Sequence, residues 1–406
     1  YDVRAWQGQL YITTNEGAPN YRVFKVAAAR PGRRYWREIV REAPDAILQD
    51  VAVVGGRLAL SYLHDAASEL RVATLDGKPV RRVKLPAIGT SGGIHGLQDE
   101  DDGYFAFSSF TIPQQIYKTS MRTGAVSLWA KVELPIDPSP YVVEQVFYPS
   151  RDGTRVSMFI VRRKDLRKDG QNPTLLYGYG GFNVSLTPSF AASIYPWLEA
   201  GGVWAEPNLR GGGEYGKRWH DAGRGPHKQN VFDDYLAAAE WLARSGYTSP
   251  RRLAIYGGSN GGLLVGAAMV QRPELFGAVV CAVPLLDMVR YHLFGSGRTW
   301  IPEYGTAEKP ADFPVLHAYS PYHHVDAKVT YPPMLMLSAD HDDRVDPLHA
   351  RKFVAAVQAA GASEALLRIE ANAGHGGADQ VKKAIEKSAD MYAWLLHTFG
   401  MKAARR

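Results

Sequence analysis

The sequence predicts two folds in series: an α/β domain with a mostly parallel sheet, preceded by an all-β array of blade-like repeats. Three observations carry this prediction. Similar strand pairs recur through the first part of the chain at spacings of 48 and then 47 residues, about the period of four-stranded propeller blades. After a proline-rich stretch, strands alternate with helical segments, as a parallel sheet with crossover helices requires. Within that second part, a short apolar strand enters a Gly-x-Ser-x-Gly turn and leaves it as a small, apolar helix.

The repeats begin with Gly8-Gln9-Leu10-Tyr11-Ile12-Thr13, Gly56-Arg57-Leu58-Ala59-Leu60-Ser61 and Gly103-Tyr104-Phe105-Ala106-Phe107-Ser108. Each is followed by a second strand: Tyr21 to Lys25, Leu70 to Thr74 and Gln115 to Lys118. The run Leu134-Pro135-Ile136-Asp137-Pro138-Ser139-Pro140 reads as a linker that ends the series. The expected organisation is a partial propeller over residues 1–134 and an α/β domain over 135–406.

In the second domain, Leu253-Ala254-Ile255-Tyr256 leads into Gly257-Gly258-Ser259-Asn260-Gly261-Gly262 and then the apolar stretch Leu263 to Val270. This is the pattern of a nucleophile elbow. Side chains two residues either side of the serine would collide with backbone, and glycine at both places removes the collision. Ser259 then stands at the amino end of a helix, where developing negative charge is favoured.

An elbow serine needs a base and an orienting carboxylate, which in the α/β-hydrolase arrangement follow in the order Ser, Asp, His. The strand Met334 to Leu337 opens into Asp340-His341-Asp342-Asp343-Arg344, which leaves three candidate acids. The strand Leu366 to Ile369 leads to Ala373-Gly374-His375-Gly376, which offers His375 as base. His323 and His324 precede a strand, and His64, His227 and His349 fall among polar loop residues, so none of these fits the order.

Taken with Leu176-Tyr177-Gly178-Tyr179-Gly180-Gly181-Phe182-Asn183 and Asn208-Leu209-Arg210-Gly211-Gly212-Gly213-Glu214-Tyr215-Gly216, these motifs resemble the prolyl oligopeptidase family, serine peptidases that cleave short peptides after proline. The resemblance implies an α/β-hydrolase domain with a propeller before it. Among the three aspartates it selects Asp342, two residues before the loop arginine, beside Ser259 and His375. It also implies an oxyanion site built from the Asn260 backbone N–H and the Tyr179 hydroxyl.

A pocket for proline needs flat apolar surface, because the pyrrolidine ring has no polar handle. The resemblance assigns that surface to Trp300, Phe182 and Tyr304, and assigns Arg344 to a substrate carbonyl, a task suited to a fixed fork of donors. A basic-specific relative is the nearest alternative. It would need a pair of carboxylates to receive arginine or lysine, and only Glu303 lies near Trp300. A non-catalytic, peptide-binding fragment is the second alternative. Family members carry seven blades where this sequence has about three, and residue 1 enters almost directly into a repeat, so the chain is expected to be the carboxyl-terminal part of a longer protein. Open blade edges would then favour aggregation.

Of the 406 residues 46% are hydrophobic and 22% charged, the composition of a globular protein. The formal charge of +6 is dispersed rather than gathered, so no nucleic-acid partner is expected. The single cysteine, Cys281, lies in an apolar strand and permits no intrachain disulfide. No cysteine or histidine cluster has metal-ligand spacing, and Gly211 to Gly216, although it satisfies G-x-G-x-x-G, opens no apolar helix. Neither metal nor cofactor is expected. The expected partners are short proline-containing peptides, with no membrane partner because no apolar run is long enough to span one. A monomer is expected of the full-length protein, and a cytoplasmic location is expected over a periplasmic or secreted one because no signal peptide is in view.

Overall fold

Alternating apolar residues in the first part form three antiparallel sheets in the computed structural model, which describes residues 1–362, 364–376 and 381–403. The first sheet runs Asp2–Trp6, Gln9–Thr14, Arg22–Ala27, Arg37–Val40, and the second Ala46–Val54, Arg57–His64, Ala67–Ala73, Pro79–Val83. The third runs His95–Gly96, Asp102–Ser109, Ile112–Ser120, Val126–Lys131, with Thr90–Ser91 also paired to its second strand. Each repeated segment of the sequence supplies the second and third strands of one sheet. The middle sheet packs on both sides: Leu58, Leu60 and Tyr62 join Tyr11 and Val23 of the first sheet, while Ala59, Leu70 and Val72 join Phe105, Phe107 and Met121 of the third. Period-two alternation thus builds a stack of blades.

After Lys131 the chain passes through its proline-rich stretch to an eight-stranded sheet. Its strands are β1 (Tyr141–Pro149), β2 (Arg155–Arg163), β3 (Thr174–Tyr177), β4 (Val203–Pro207), β5 (Leu253–Gly258), β6 (Ala278–Ala282), β7 (Met334–Ala339) and β8 (Ala365–Glu370). They lie in the order β1-β2-β4-β3-β5-β6-β7-β8. The β2–β4 pair is antiparallel and the pairs from β4 to β8 are parallel. The longer helices are α1 (Gln229–Arg244), α2 (Asn260–Gln271), α3 (Leu348–Ala359) and α4 (Val381–Thr398). β4 and β7 are buried along their whole length, and β6 along all but its last residue. Strands covered on both faces read as continuous apolar runs for this reason. Cys281 on β6 is buried, with its Sγ–H directed to the Gly262 carbonyl at 3.3 Å, and burial pushes its thiol pKa up.

The chain divides into two compact units: Tyr1–Val143 with Ser185–Ala191 and Gly213–Trp219, and the remainder. A single boundary at residue 134 does not describe this division, because two loops that follow strands of the large sheet group with the blades. Among the described residues, no helix is long and apolar enough to cross a membrane.

Candidate active site

The parallel strands deliver the chemistry at their carboxyl ends, where open α/β sheets place their sites. Tyr179 follows β3, Ser259 follows β5, Asp342 follows β7 and His375 follows β8.

Ser259 sits between β5 and α2 with φ 59° and ψ −118°, a conformation that strains a side-chain-bearing residue by roughly 1–3 kcal/mol. The turn is held by the Ser259 N–H, which donates to the Ala282 carbonyl at 2.9 Å. A Cβ on Gly257 would lie 2.2 Å from the Gly261 carbonyl oxygen, and one on Gly261 would lie 2.4 Å from the Gly178 carbonyl oxygen. The two glycines therefore do different work: Gly257 admits the first turn of α2, and Gly261 admits the turn after β3.

Asp342 is the aspartate that reaches His375, with its carboxylate oxygens 2.8 and 3.0 Å from Nδ1. Its Oδ1 also accepts the Arg344 and Val345 N–H groups, at 3.0 and 2.9 Å, which fixes the carboxylate. Asp340 turns elsewhere, to His341 Nδ1 and the Ala373 N–H, and the hydrogen bond from His341 holds its carboxyl at about 2. Asp343 is exposed. With both Asp342 oxygens on Nδ1, that nitrogen carries the proton of the neutral ring and Nε2 keeps its lone pair. Among the described residues no hydrogen bond joins Ser259 to His375.

Tyr179 and Asn260 are brought together directly: Asn260 Nδ2 donates to the Tyr179 carbonyl at 2.5 Å. Asn260 is the first residue of α2, so its backbone N–H has no intrahelical acceptor. Burial pushes the Tyr179 hydroxyl pKa up and the Glu303 charge adds to the rise, while the Arg344 charge opposes it. The phenol therefore keeps its proton, and with it the capacity to donate, through neutral pH.

Phe182 is half-buried at φ 56°, and its ring meets Tyr304 edge-on at 5.5 Å. Trp300 is half-buried at the end of the turn Gly297–Trp300. The exposed Arg344 follows Asp342, and its carbonyl accepts the Ser296 N–H at 3.2 Å. Tyr304, expected from the resemblance to line the pocket, is buried. It is 1% exposed, its hydroxyl donates to Asn260 Oδ1 at 2.8 Å, and its ring stands behind Phe182.

Sequence reasoning missed several buried polar residues. Lys228, 1% exposed, donates to the Gly180 carbonyl and to Asn260 Oδ1. His220 bonds Glu303, whose other oxygen accepts the Phe182 N–H. Arg210, 4% exposed, is gripped by Asp234 and also reaches Asp152 and Ser150. No local signal marks any of them, since lysine and arginine ordinarily stay in water. The expectation for His349 is corrected. It lies on α3 rather than in a polar loop, is 2% exposed, and accepts the Leu286 and Asp287 N–H groups on Nδ1. Burial pushes its ring down to about 4, so it stays neutral.

The model of the prolyl oligopeptidase family matches residues 188–402, and that of the prolyl oligopeptidase N-terminal β-propeller domain matches residues 1–132. The chain belongs to the prolyl oligopeptidase family. It is 43% identical over 396 residues to a prolyl endopeptidase of Elizabethkingia miricola, a match covering 97% of this chain and 56% of the relative. A prolyl endopeptidase of Dictyostelium discoideum is 34% identical over 420 residues, covering 99% of this chain and 55% of that one. Of solved structures, one from a study of two prolyl endopeptidases superimposes with a TM-score of 0.92 at 67% identity, covering 99% of this chain and 60% of that one. Prolyl oligopeptidase B of Galerina marginata, bound to a 25-residue macrocyclization substrate, gives 0.90 at 31% identity, covering 99% and 57%. This prolyl oligopeptidase family member thus spans about half the length of the curated relatives it matches. The blades and the α/β-hydrolase domain expected from the sequence are both borne out.

Proposed function

We propose that the chain carries the catalytic apparatus of a serine endopeptidase that hydrolyses short peptides on the carboxyl side of proline. The observation that carries this reading is the strained Ser259 elbow in the same unit as an Asp342 carboxylate seated on His375 Nδ1.

In this reading Ser259 Oγ attacks the scissile carbonyl as His375 Nε2 takes its proton, and Asp342 stabilises the imidazolium that results. The carbonyl oxygen becomes an anion facing the Asn260 N–H and the Tyr179 hydroxyl. Collapse expels the amine, which receives the proton from His375, and leaves an ester on Ser259. Water, deprotonated by the same ring, then releases the acid. Trp300 and Phe182 supply flat faces for the proline ring, and Arg344 supplies donors for a peptide carbonyl beyond it. Glu303 does not offer itself to a basic side chain, because His220 and the Phe182 N–H already occupy its two oxygens.

The test is hydrolysis of a blocked dipeptide reporter with proline before the scissile bond, beside matched alanine and arginine reporters, for this chain and for Ser259→Ala. Cleavage after proline that disappears in Ser259→Ala supports the reading. Preference for arginine moves it to the basic-specific class, and no serine-dependent cleavage by a folded sample leaves a peptide-binding fragment.

A further inference from the structure

We propose that Lys228 is a positioning residue for the oxyanion site, its ammonium tying the Gly180 carbonyl to the Asn260 side chain and so setting the separation of the two donors. The inference rests on the reading of Ser259 as a nucleophile.

The two donors come from segments with no covalent reason to keep a fixed distance. Tyr179 stands on the turn after β3 and Asn260 opens α2. Beyond the β3–β5 pairing, which ends with the Gly178 N–H donating to the Tyr256 carbonyl, one amide and one amine tie them. Asn260 Nδ2 donates to the Tyr179 carbonyl at 2.5 Å. Asn260 Oδ1 accepts from Lys228 Nζ at 3.1 Å and from the Tyr304 hydroxyl at 2.8 Å. Lys228 Nζ also donates to the Gly180 carbonyl at 2.9 Å, one residue past Tyr179. The amide orientation follows from its partners: two donors face its oxygen and one carbonyl faces its nitrogen.

An ammonium in this place is costly. Lys228 is buried, and among the described residues none of its hydrogen-bond partners is a carboxylate. The groups facing it are the Gly180 carbonyl, the Asn260 amide, the Tyr304 ring face at 5.4 Å and, at longer range, the Glu303 carboxylate. Burial pulls the ammonium down to about 8, and the Glu303 charge only partly opposes this. A methionine would fill the space without that penalty. What it would lack is the pair of directed donors that reach the Gly180 carbonyl and Asn260 Oδ1.

The experiment compares this chain with Lys228→Met and Lys228→Arg, with folding checked by circular dichroism. Its readouts are kcat and KM on the proline reporter and the rate at which a phosphonofluoridate labels Ser259, a reaction that forms a tetrahedral adduct without any peptide. In Lys228→Met both kcat and labelling are expected to fall about 30-fold to 100-fold, as loss of oxyanion stabilisation does, with KM within about threefold. Lys228→Arg is expected to recover part of the loss.

A folded Lys228→Met with kcat and labelling unchanged, or with the loss confined to KM, overturns the inference. If Lys228→Met does not fold, Lys228→Leu, which also removes both donors, is measured in its place, and unchanged kcat and labelling in that variant overturn the inference. If the unsubstituted chain labels at Ser259 but cleaves no proline reporter, the substrate reading fails alone and labelling still decides Lys228. If it does neither, the nucleophile reading fails and the inference with it.

Discussion

Glu303 Oε1 accepts the backbone N–H of Phe182 at 2.9 Å, a bond between residues 121 positions apart. Oε2 is held by His220 Nε2 at 2.8 Å, and the side chain is 5% exposed. Burial alone would raise this carboxyl, but the hydrogen bond from His220, the Lys228 charge and the Phe182 N–H outweigh it and hold the pKa below its ordinary value. The carboxylate thus fixes the backbone of Phe182 from the short helix Ile301–Tyr304 that follows Trp300, the two residues proposed to face the proline ring. Glu303→Ala is expected to raise KM on a proline reporter about tenfold with a smaller change in kcat, since a charged hydrogen bond contributes about 1.5–3 kcal/mol. Steady-state kinetics on the reporter checks this.

The three aspartates after β7 separate by geometry. Asp342→Asn is expected to lower kcat by about 10³-fold to 10⁴-fold, the scale for losing the residue that orients a catalytic imidazole. Asp340→Asn and Asp343→Asn are expected to stay within about tenfold of the parent, because neither carboxylate touches His375. Reporter turnover by the three variants at neutral pH decides the assignment.

Tyr179→Phe removes one of the two proposed oxyanion donors and leaves the ring. The expected result is a loss of about 10²-fold to 10³-fold in kcat with KM little changed, because the bond strengthens only as the carbonyl oxygen gains charge. A loss expressed mainly in KM would place the hydroxyl on bound substrate instead.

Glu206 on β4 gives a stability prediction with a definite sign. Its side chain is 7% exposed, and burial pushes its carboxyl up to about 7 against the opposing bond from Trp204 Nε1. Between its unfolded pKa and about 7, the folded state binds more protons than the unfolded state, so stability falls as pH rises through that window. Glu206→Gln removes the titration. Its unfolding free energy is expected to match the parent near pH 4 and to exceed it at pH 8 by on the order of 3 kcal/mol. Urea unfolding at the two pH values tests this.

Gly257 and Gly374 flank the proposed triad in opposite ways. A Cβ at Gly257 would meet backbone at 2.2 Å, whereas one at Gly374 meets nothing within 4 Å among the described residues. Gly257→Ala is expected to destabilise the unit by at least about 3 kcal/mol or to prevent folding, and Gly374→Ala to change stability by less than about 0.5 kcal/mol. Thermal melts of the two variants give the comparison.

Much of this molecule was determined by the sequence alone, because the deciding signals are local. Alternation of period two and the spacing of Gly8, Gly56 and Gly103 specify strands of successive blades, since each blade is one supersecondary unit. The glycines around Ser259 specify the elbow, since the collision they avoid lies within five residues. The apolar runs of β5, β6 and β7 announce strands covered on both faces. What only the tertiary structure decided is which polar groups leave water and whom they meet. Asp340, Asp342 and Asp343 are chemically equivalent in sequence, and the path of the loop after β8 brings His375 to Asp342. The family resemblance assigns Tyr304 to the pocket, and only the tertiary structure shows that it is buried against Phe182 and Asn260. Lys228 precedes an amphipathic helix as an ordinary solvated lysine would, and His349 reads as a loop histidine. Their burial is set by contacts with residues 32 to 63 positions away. Desolvation is a property of the assembled surroundings, and no short window of sequence contains them.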